Sequence, residues 1–223
     1  MSVAPLTTAD LQRHTTLAFA TPVIAYPWPD RGAMNAELRN VVLAAEARDG
    51  GVKRSNVGGW HSSLDFFAWD VPCIRDLRQR AEALSIALIR AMTIKPEGAT
   101  KLALKFEAWA NVTRSGGYNA VHDHANSVWS GVYYVASGEP DPTVENSGRL
   151  ELIDPRSGVG MINIGPTLLQ GRYLIDPLPG LMVMIPSWIK HTVHPFRGAG
   201  ERISIAFNVG VREEPGGAGP RRR

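Results

Sequence analysis

N-A-V-H-D-H-A-N-S-V-W-S-G-V-Y-Y-V, residues 119–135, is the stretch on which the fold of this chain turns. Two histidines flank an aspartate, and an apolar strand pattern, SVWSGVYYV (127–135), follows at once. In an extended chain successive side chains point to opposite faces. His122 and His124 would then share one face and Asp123 would take the other. Two imidazoles at that spacing can bind one metal ion. Tyr133 and Tyr134 alternate in the same way, so one of them must face the core.

A third ligand has to come from elsewhere. M-I-P-S-W-I-K-H (184–191) leads from an apolar strand into a polar turn and places His191 at the strand's end. About ten residues later Arg202 opens a second alternating strand, E-R-I-S-I-A-F-N. A buried guanidinium at a strand start wants a carboxylate, which it binds through a two-bond fork. No protein carboxylate is paired with it by sequence, so the partner can be a ligand.

Outward from these segments the chain divides in two. Helical patterns run from about Asn35 to Arg48, stopping at Asp49-Gly50-Gly51, and from about Val71 to Met92, with Leu77, Ala81, Leu84, Ala87 and Leu88 on one face. FATPVIAYPWPD is predicted as an edge strand broken by prolines, and the segment with Gly58, Gly59 and Trp60 as a loop. From Lys101 strands dominate: 102–112, 127–135, 148–154, 180–186 and 201–210. Ser115-Gly116-Gly117 and Gly138-Glu139-Pro140 read as turns between them. Short strands at this spacing make a sandwich or a barrel.

The order of the motifs, H-x-H-x-x-S-x-x-S-G-V-Y-Y-V, then P-S-W-x-x-H-x-V-x-P, then R-I-S-I-A-F-N, resembles the small bacterial and phage 2OG-Fe(II) oxygenases related to the prolyl-hydroxylase branch. The resemblance covers roughly residues 101–210, and SNVGGWHSS (55–63) looks like the same group's N-terminal half. It implies a mainly β fold, a double-stranded β-helix (jelly-roll, cupin-like) with packing α-helices from the first half. One domain over 1–213 is expected, with the jelly-roll from about 101. It implies Fe(II) as metal, 2-oxoglutarate and O2 as co-substrates, and hydroxylation of a small-molecule or peptide substrate with succinate and CO2 as co-products. By position, His122 and His191 match iron ligands, Arg202 the anchor of the far 2-oxoglutarate carboxylate, and Tyr134 a tyrosine on that carboxylate. Asn111 and Trp109 are candidates for the wall of the co-substrate pocket.

One position departs from the family. Its usual second ligand is an acidic residue two places after the first histidine, and here that place holds His124. Strand geometry favours an all-histidine triad of His122, His124 and His191. A bulge that turns Asp123 inward and a damaged site are the alternatives. The all-histidine set also motivates a different function, a three-His cupin-like metal enzyme that does not use 2-oxoglutarate. A non-catalytic metal-binding protein is a further alternative.

The remaining features are plainer. A 44% hydrophobic and 20% charged composition suits a globular protein. The net charge of +3 is that of Arg221, Arg222 and Arg223, behind the unpackable EEPGGAGP, so residues 214–223 read as a disordered basic tail. Without a basic folded face, nucleic acid is not an expected partner. No segment looks membrane-spanning or secretory, and Cys73 is the single cysteine, so a reducing cytoplasm is the default. A homodimer through the first half is a reasonable expectation. His14 and His61 read as polar surface residues, while His194 either orients His191 or faces water. Cys73 reads as a small buried residue.

Overall fold

A computed structural model describes residues 7, 9, 12, 15, 19–92, 102–159 and 171–213. His14 and the tail 214–223 lie outside the described residues. The ordered elements are β1 (Ile24–Pro27), α1 (Gly32–Glu46), β2 (Asn56–His61), a 3-10 turn at Phe66–Ala68, α2 (Pro72–Met92), β3 (Leu102–His122), β4 (Trp129–Pro140), β5 (Leu150–Ile153), β6 (Arg172–Ile175), β7 (Leu181–Pro186), β8 (His191–Val193) and β9 (Gly198–Glu213).

All the strand pairings are antiparallel, in the order β1-β7-β4-β9-β3-β8-β5-β6, with β2 on β3. The sheet curls because β3 serves two neighbourhoods. Its first half pairs with β9 from Leu102 to Thr113, and its second half reaches β8 at Asn119 and His122. Between them the register against β2 slips by several residues, from Thr113 to Tyr118. The slip falls on Ser115-Gly116-Gly117, and Gly116 has a φ of 95°. The predicted turn is therefore a bulge that bends one long strand, the role bulges play where a sheet folds over. The jelly-roll expectation holds.

Alternation on the strands gives the curled sheet two different faces. Ala108, Ala110, Val112, Tyr133, Met182, Met184, Ile203, Ile205 and Phe207 pack outward under α1 and α2, against Leu38, Val42, Ile74, Leu77, Ala81 and Leu88. Truncating a fully buried Leu of this layer, such as Leu77, costs about 2–5 kcal/mol. Gly131 is needed where it is, because any Cβ there would collide with the Phe207 ring. Inside the curl a smaller cluster of Tyr134, Leu150, Leu152, Ile175, Val183, Ile185 and Val193 joins the two walls.

Some expectations are corrected. Residues 56–61, read as loop, form β2, since Gly59 lies close enough to the Val112 carbonyl to leave no room for a side chain. On α2, Ala87 is exposed, and Ser85 is buried in its stead because its hydroxyl donates to the Ala81 carbonyl at 2.7 Å. His191 does not end β7. A short turn separates them, and His191 opens β8. β1 is the edge strand expected of a proline-bounded segment, on β7. Among the described residues, no helix is long and apolar enough to cross a membrane.

Candidate metal centre

β3, β8 and the chain just beyond β3 bring three imidazoles together. His122 and His191 are cross-strand partners. His124 follows two residues later, held by its backbone N–H on the Ser187 carbonyl at 3.0 Å. One ring nitrogen from each of His122, His124 and His191 lies within 4.8 Å of the others, and the Nε2 atoms of His124 and His191 are 3.3 Å apart. His122 turns Nδ1 to the Ala120 carbonyl at 2.7 Å, and His191 turns Nδ1 to the Ile189 carbonyl at 2.8 Å. Both carbonyls take a proton, which leaves each Nε2 as a lone pair directed at the cluster. Asp123 points away, with Lys190 Nζ at 2.7 Å from its carboxylate. The strand alternation read from the sequence is what the geometry shows.

The electrostatics favour a cation. Burial, and then the neighbouring imidazoles His191 and His122, push His124 down to about 3. Burial and His122 push His191 down to about 4, and burial also lowers His122. At neutral pH all three rings are uncharged, the form that ligates metal.

The opposite end of the same cavity has the reverse problem. The cavity holds about 420 Å³ and is lined by the triad and by Trp109, Asn111, Tyr134, Arg202 and Ser204, among others. Arg202 is 2% exposed. Its Nε donates to the Gly148 carbonyl at 2.9 Å, and Nη1 reaches Ser204 Oγ at a long 3.4 Å. Gly148 accepts from that position in a left-handed conformation, φ 66°, with the Arg202 side chain against it. No carboxylate pairs with Arg202 among the described residues, and burial lowers its pKa. Its guanidinium carbon lies 5.3 Å from the Tyr134 ring centre. That is near enough to act electrostatically on the phenol, but not in hydrogen-bonding geometry. The Tyr134 hydroxyl and Asn111 Oδ1 are buried without a hydrogen-bond partner among the described residues, and burial pushes Tyr134 up to about 12. The strand register explains the grouping, since Asn111 and Tyr134 flank Ser204 on either side of β9, with Arg202 two residues before it.

Two histidines differ from expectation. His61 is 3% exposed, not a surface residue. It lines the cavity and stacks on Trp109, with ring centres 5.5 Å apart and planes 9° from parallel. The signal that could have found it was the alternation of β2, hidden by two glycines that resemble a loop. His194 neither orients His191 nor simply faces water, because its Nε2 lies 2.6 Å from the Glu151 carboxylate. Cys73 is buried as expected.

Residues 107–208 match a family model described as "Putative 2OG-Fe(II) oxygenase". No curated protein matches the chain by sequence. Among solved structures, a Pseudomonas putida prolyl-4-hydroxylase superposes with a TM-score of 0.59 at 15% identity, over 88% of this chain and 93% of that one. HygX from Streptomyces hygroscopicus, solved with nickel, 2-oxoglutarate and hygromycin B, gives 0.58 at 14%, over 92% and 87%. A viral collagen prolyl hydroxylase from Paramecium bursaria Chlorella virus-1 gives 0.52 at 12%, over 84% and 94%. These likenesses establish the double-stranded β-helix. The family match, over the strands that carry the site, indicates a 2-oxoglutarate-dependent non-haem iron oxygenase. The residues fit both groups: three neutral imidazoles suit Fe(II), and an unpaired buried guanidinium beside an unpartnered phenol suits a carboxylate.

Proposed function

We propose that this chain, whose residues 107–208 match a 2OG-Fe(II) oxygenase family model, hydroxylates a small-molecule or peptide substrate, with succinate and CO2 as co-products. His122, His124 and His191 hold the iron in this reading. Arg202 and Tyr134 hold the far carboxylate of 2-oxoglutarate, and Asn111 needs only an amide rotation to present its donor to the same ligand. The observation that carries the proposal is Arg202. A guanidinium buried to 2% exposure without an anion is costly, and it lies in the same cavity as the triad.

When bound, iron and 2-oxoglutarate supply the O2 activation and the oxidising power. The chain supplies position. Arg202 and Tyr134 fix one end of the co-substrate by a charge-assisted pair and a phenol hydrogen bond. Val132, Val183 and Ile185 add apolar wall to the same cavity, and polar contacts strengthen wherever such a wall excludes water. His122 and His191 keep their protons on Nδ1, against backbone carbonyls, so no proton competes for the metal-facing nitrogen. A site of three neutral ligands is one positive charge richer than one with a carboxylate. That favours an anionic co-substrate.

The test is an anaerobic titration of the Fe(II)-loaded protein with 2-oxoglutarate, following the visible metal-to-ligand charge-transfer band. The band should appear in wild type, vanish in His124→Ala and survive in Asp123→Ala. Iron that binds without any band would sink the co-substrate assignment. The alternative favoured by the all-histidine donor set, a metal enzyme that does not use 2-oxoglutarate, would then take its place.

A further inference from the structure

The three imidazoles are not held alike. His122 and His191 each have Nδ1 fixed on a backbone carbonyl, a second anchor behind the metal-facing nitrogen. Among the described residues His124 has no such anchor. The ring's one polar contact among them is Nε2 against His191 Nε2, on the side a metal would take. Its neighbours Asp123, Ala125 and Asn126 are exposed, so the chain around it does not wall in the ring. Apart from its two fellow imidazoles, His122 and His191, with ring centres at 5.0 and 5.1 Å, the ring meets the indole of Trp109, with centres 5.6 Å apart and planes tilted by 35°. Trp109 also stacks on His61. His61 is in turn fixed by Nδ1 on the Ser62 carbonyl at 2.5 Å.

Trp109 is 8% exposed, yet it belongs to neither apolar cluster. It points into the cavity from β3, between Glu107 and Asn111 in the alternation. A buried indole that packs against a half-buried imidazole and not against the hydrophobic core is poorly explained as filling.

We propose that Trp109 is a positioning residue for the metal centre, an aromatic wall braced by His61 that sets the His124 ring where no backbone hydrogen bond does. This rests on the triad assignment above. A donor ring free to rotate must be ordered when metal binds, and the wall lowers that cost. It acts on the one ligand position where this chain carries an imidazole in place of the family's shorter carboxylate. The indole supplies the support that the longer, flat side chain needs.

The test is a double-mutant cycle read by metal binding, not by turnover. Co(II) affinity and the Co(II) visible spectrum are measured under argon for wild type, Trp109→Leu, His124→Asp and the double variant. Apo melting temperatures verify folding. Trp109→Leu should weaken Co(II) about ten-fold, as loss of a supporting group around a metal ligand does, and should alter the spectrum. Trp109→Phe should restore most of both. In the His124→Asp background Trp109→Leu should cost less than about two-fold, because the ring it supports is gone. Equal losses in the two backgrounds, or no loss in Trp109→Leu, would overturn the proposal. If Trp109→Leu does not fold, His61→Leu repeats the cycle with a smaller effect, and additivity there overturns it equally. A wild-type protein that binds no Co(II) would instead bring down the triad assignment itself.

Discussion

The two ends of the cavity are unsatisfied in opposite senses. At one end three uncharged imidazoles crowd together, all kept from protonating by burial, and His124 and His191 by neighbouring imidazoles as well. At the other a guanidinium is buried with no anion among the described residues, beside a phenol with no hydrogen-bond partner among them. Neither end is a way to stabilise an empty protein. Buried polar groups normally find partners, and a buried charge without one is destabilising. The comparison teaches that the cavity is built for two guests of opposite charge. A cation completes the first end, an anion the second, and a molecule chelating the cation while carrying a distant carboxylate completes both.

The largest effect expected is from breaking the imidazole end. His191→Ala should weaken Fe(II) or Co(II) binding at least about 100-fold, taking roughly 3 kcal/mol per lost ligand. Equilibrium dialysis under argon measures it. Binding undiminished in this variant would place the metal elsewhere.

Breaking the other end should separate two properties. Arg202→Met keeps the length and removes the charge. It should weaken 2-oxoglutarate about 30-fold, from about 2 kcal/mol for a charge-assisted hydrogen bond, while leaving metal affinity close to wild type. The metal-free variant should also melt higher than wild type, because an uncompensated buried charge has gone. Calorimetry of 2-oxoglutarate binding and a thermal melt test the two halves. A lower melting temperature would mean that the Gly148 hydrogen bond outweighs the burial cost.

How much of this was legible beforehand differs between the two ends. His122, His124 and His191 could be found because the strand period of two assigns faces, and the HDH spacing needs only an extended chain. Arg202 stood out as a charge at the head of an apolar strand. The bend in β3 was hidden, because Ser115-Gly116-Gly117 has the composition of a turn whether it ends a strand or bulges it. His61 was hidden for a related reason. Two glycines beside it removed the side chains that would have shown the alternation of β2. The stack of His61 on Trp109 joins residues far apart in sequence, and no local pattern encodes it.

A pH series sharpens the contrast between the ends. The triad histidines have folded pKa values below the unfolded value of about 6.5, so the native state binds fewer protons than the unfolded state as pH falls. Their neutral form therefore supports stability fully above about pH 6.5, and that support is lost as pH falls toward the values near 4 and 3. Metal-free wild type should lose a few more degrees of melting temperature between pH 6.5 and 4 than His124→Leu does. Identical pH profiles would show that the imidazoles titrate freely. Arg202 stays charged throughout this range, so Arg202→Met should shift the whole curve and not bend it.

The smallest effect is expected at the residue that sits between two ligands in sequence. Asp123 is an acidic side chain flanked by His122 and His124, and composition alone would nominate it to complete a two-histidine, one-carboxylate site. Its carboxylate instead faces solvent and Lys190. The Lys190 ammonium beside it lowers its pKa, against a small opposing effect of desolvation. An exposed ion pair of this kind contributes little, and salt screens it. Asp123→Ala should therefore change Co(II) affinity by less than about two-fold, and raising the salt concentration should make the variant and wild type still more alike. A ten-fold loss would mean that the chain beyond β3 turns over when metal arrives, with Asp123 entering and His124 leaving. The same measurement on His124→Ala decides between the two arrangements, since only one of these neighbouring residues can occupy the third position.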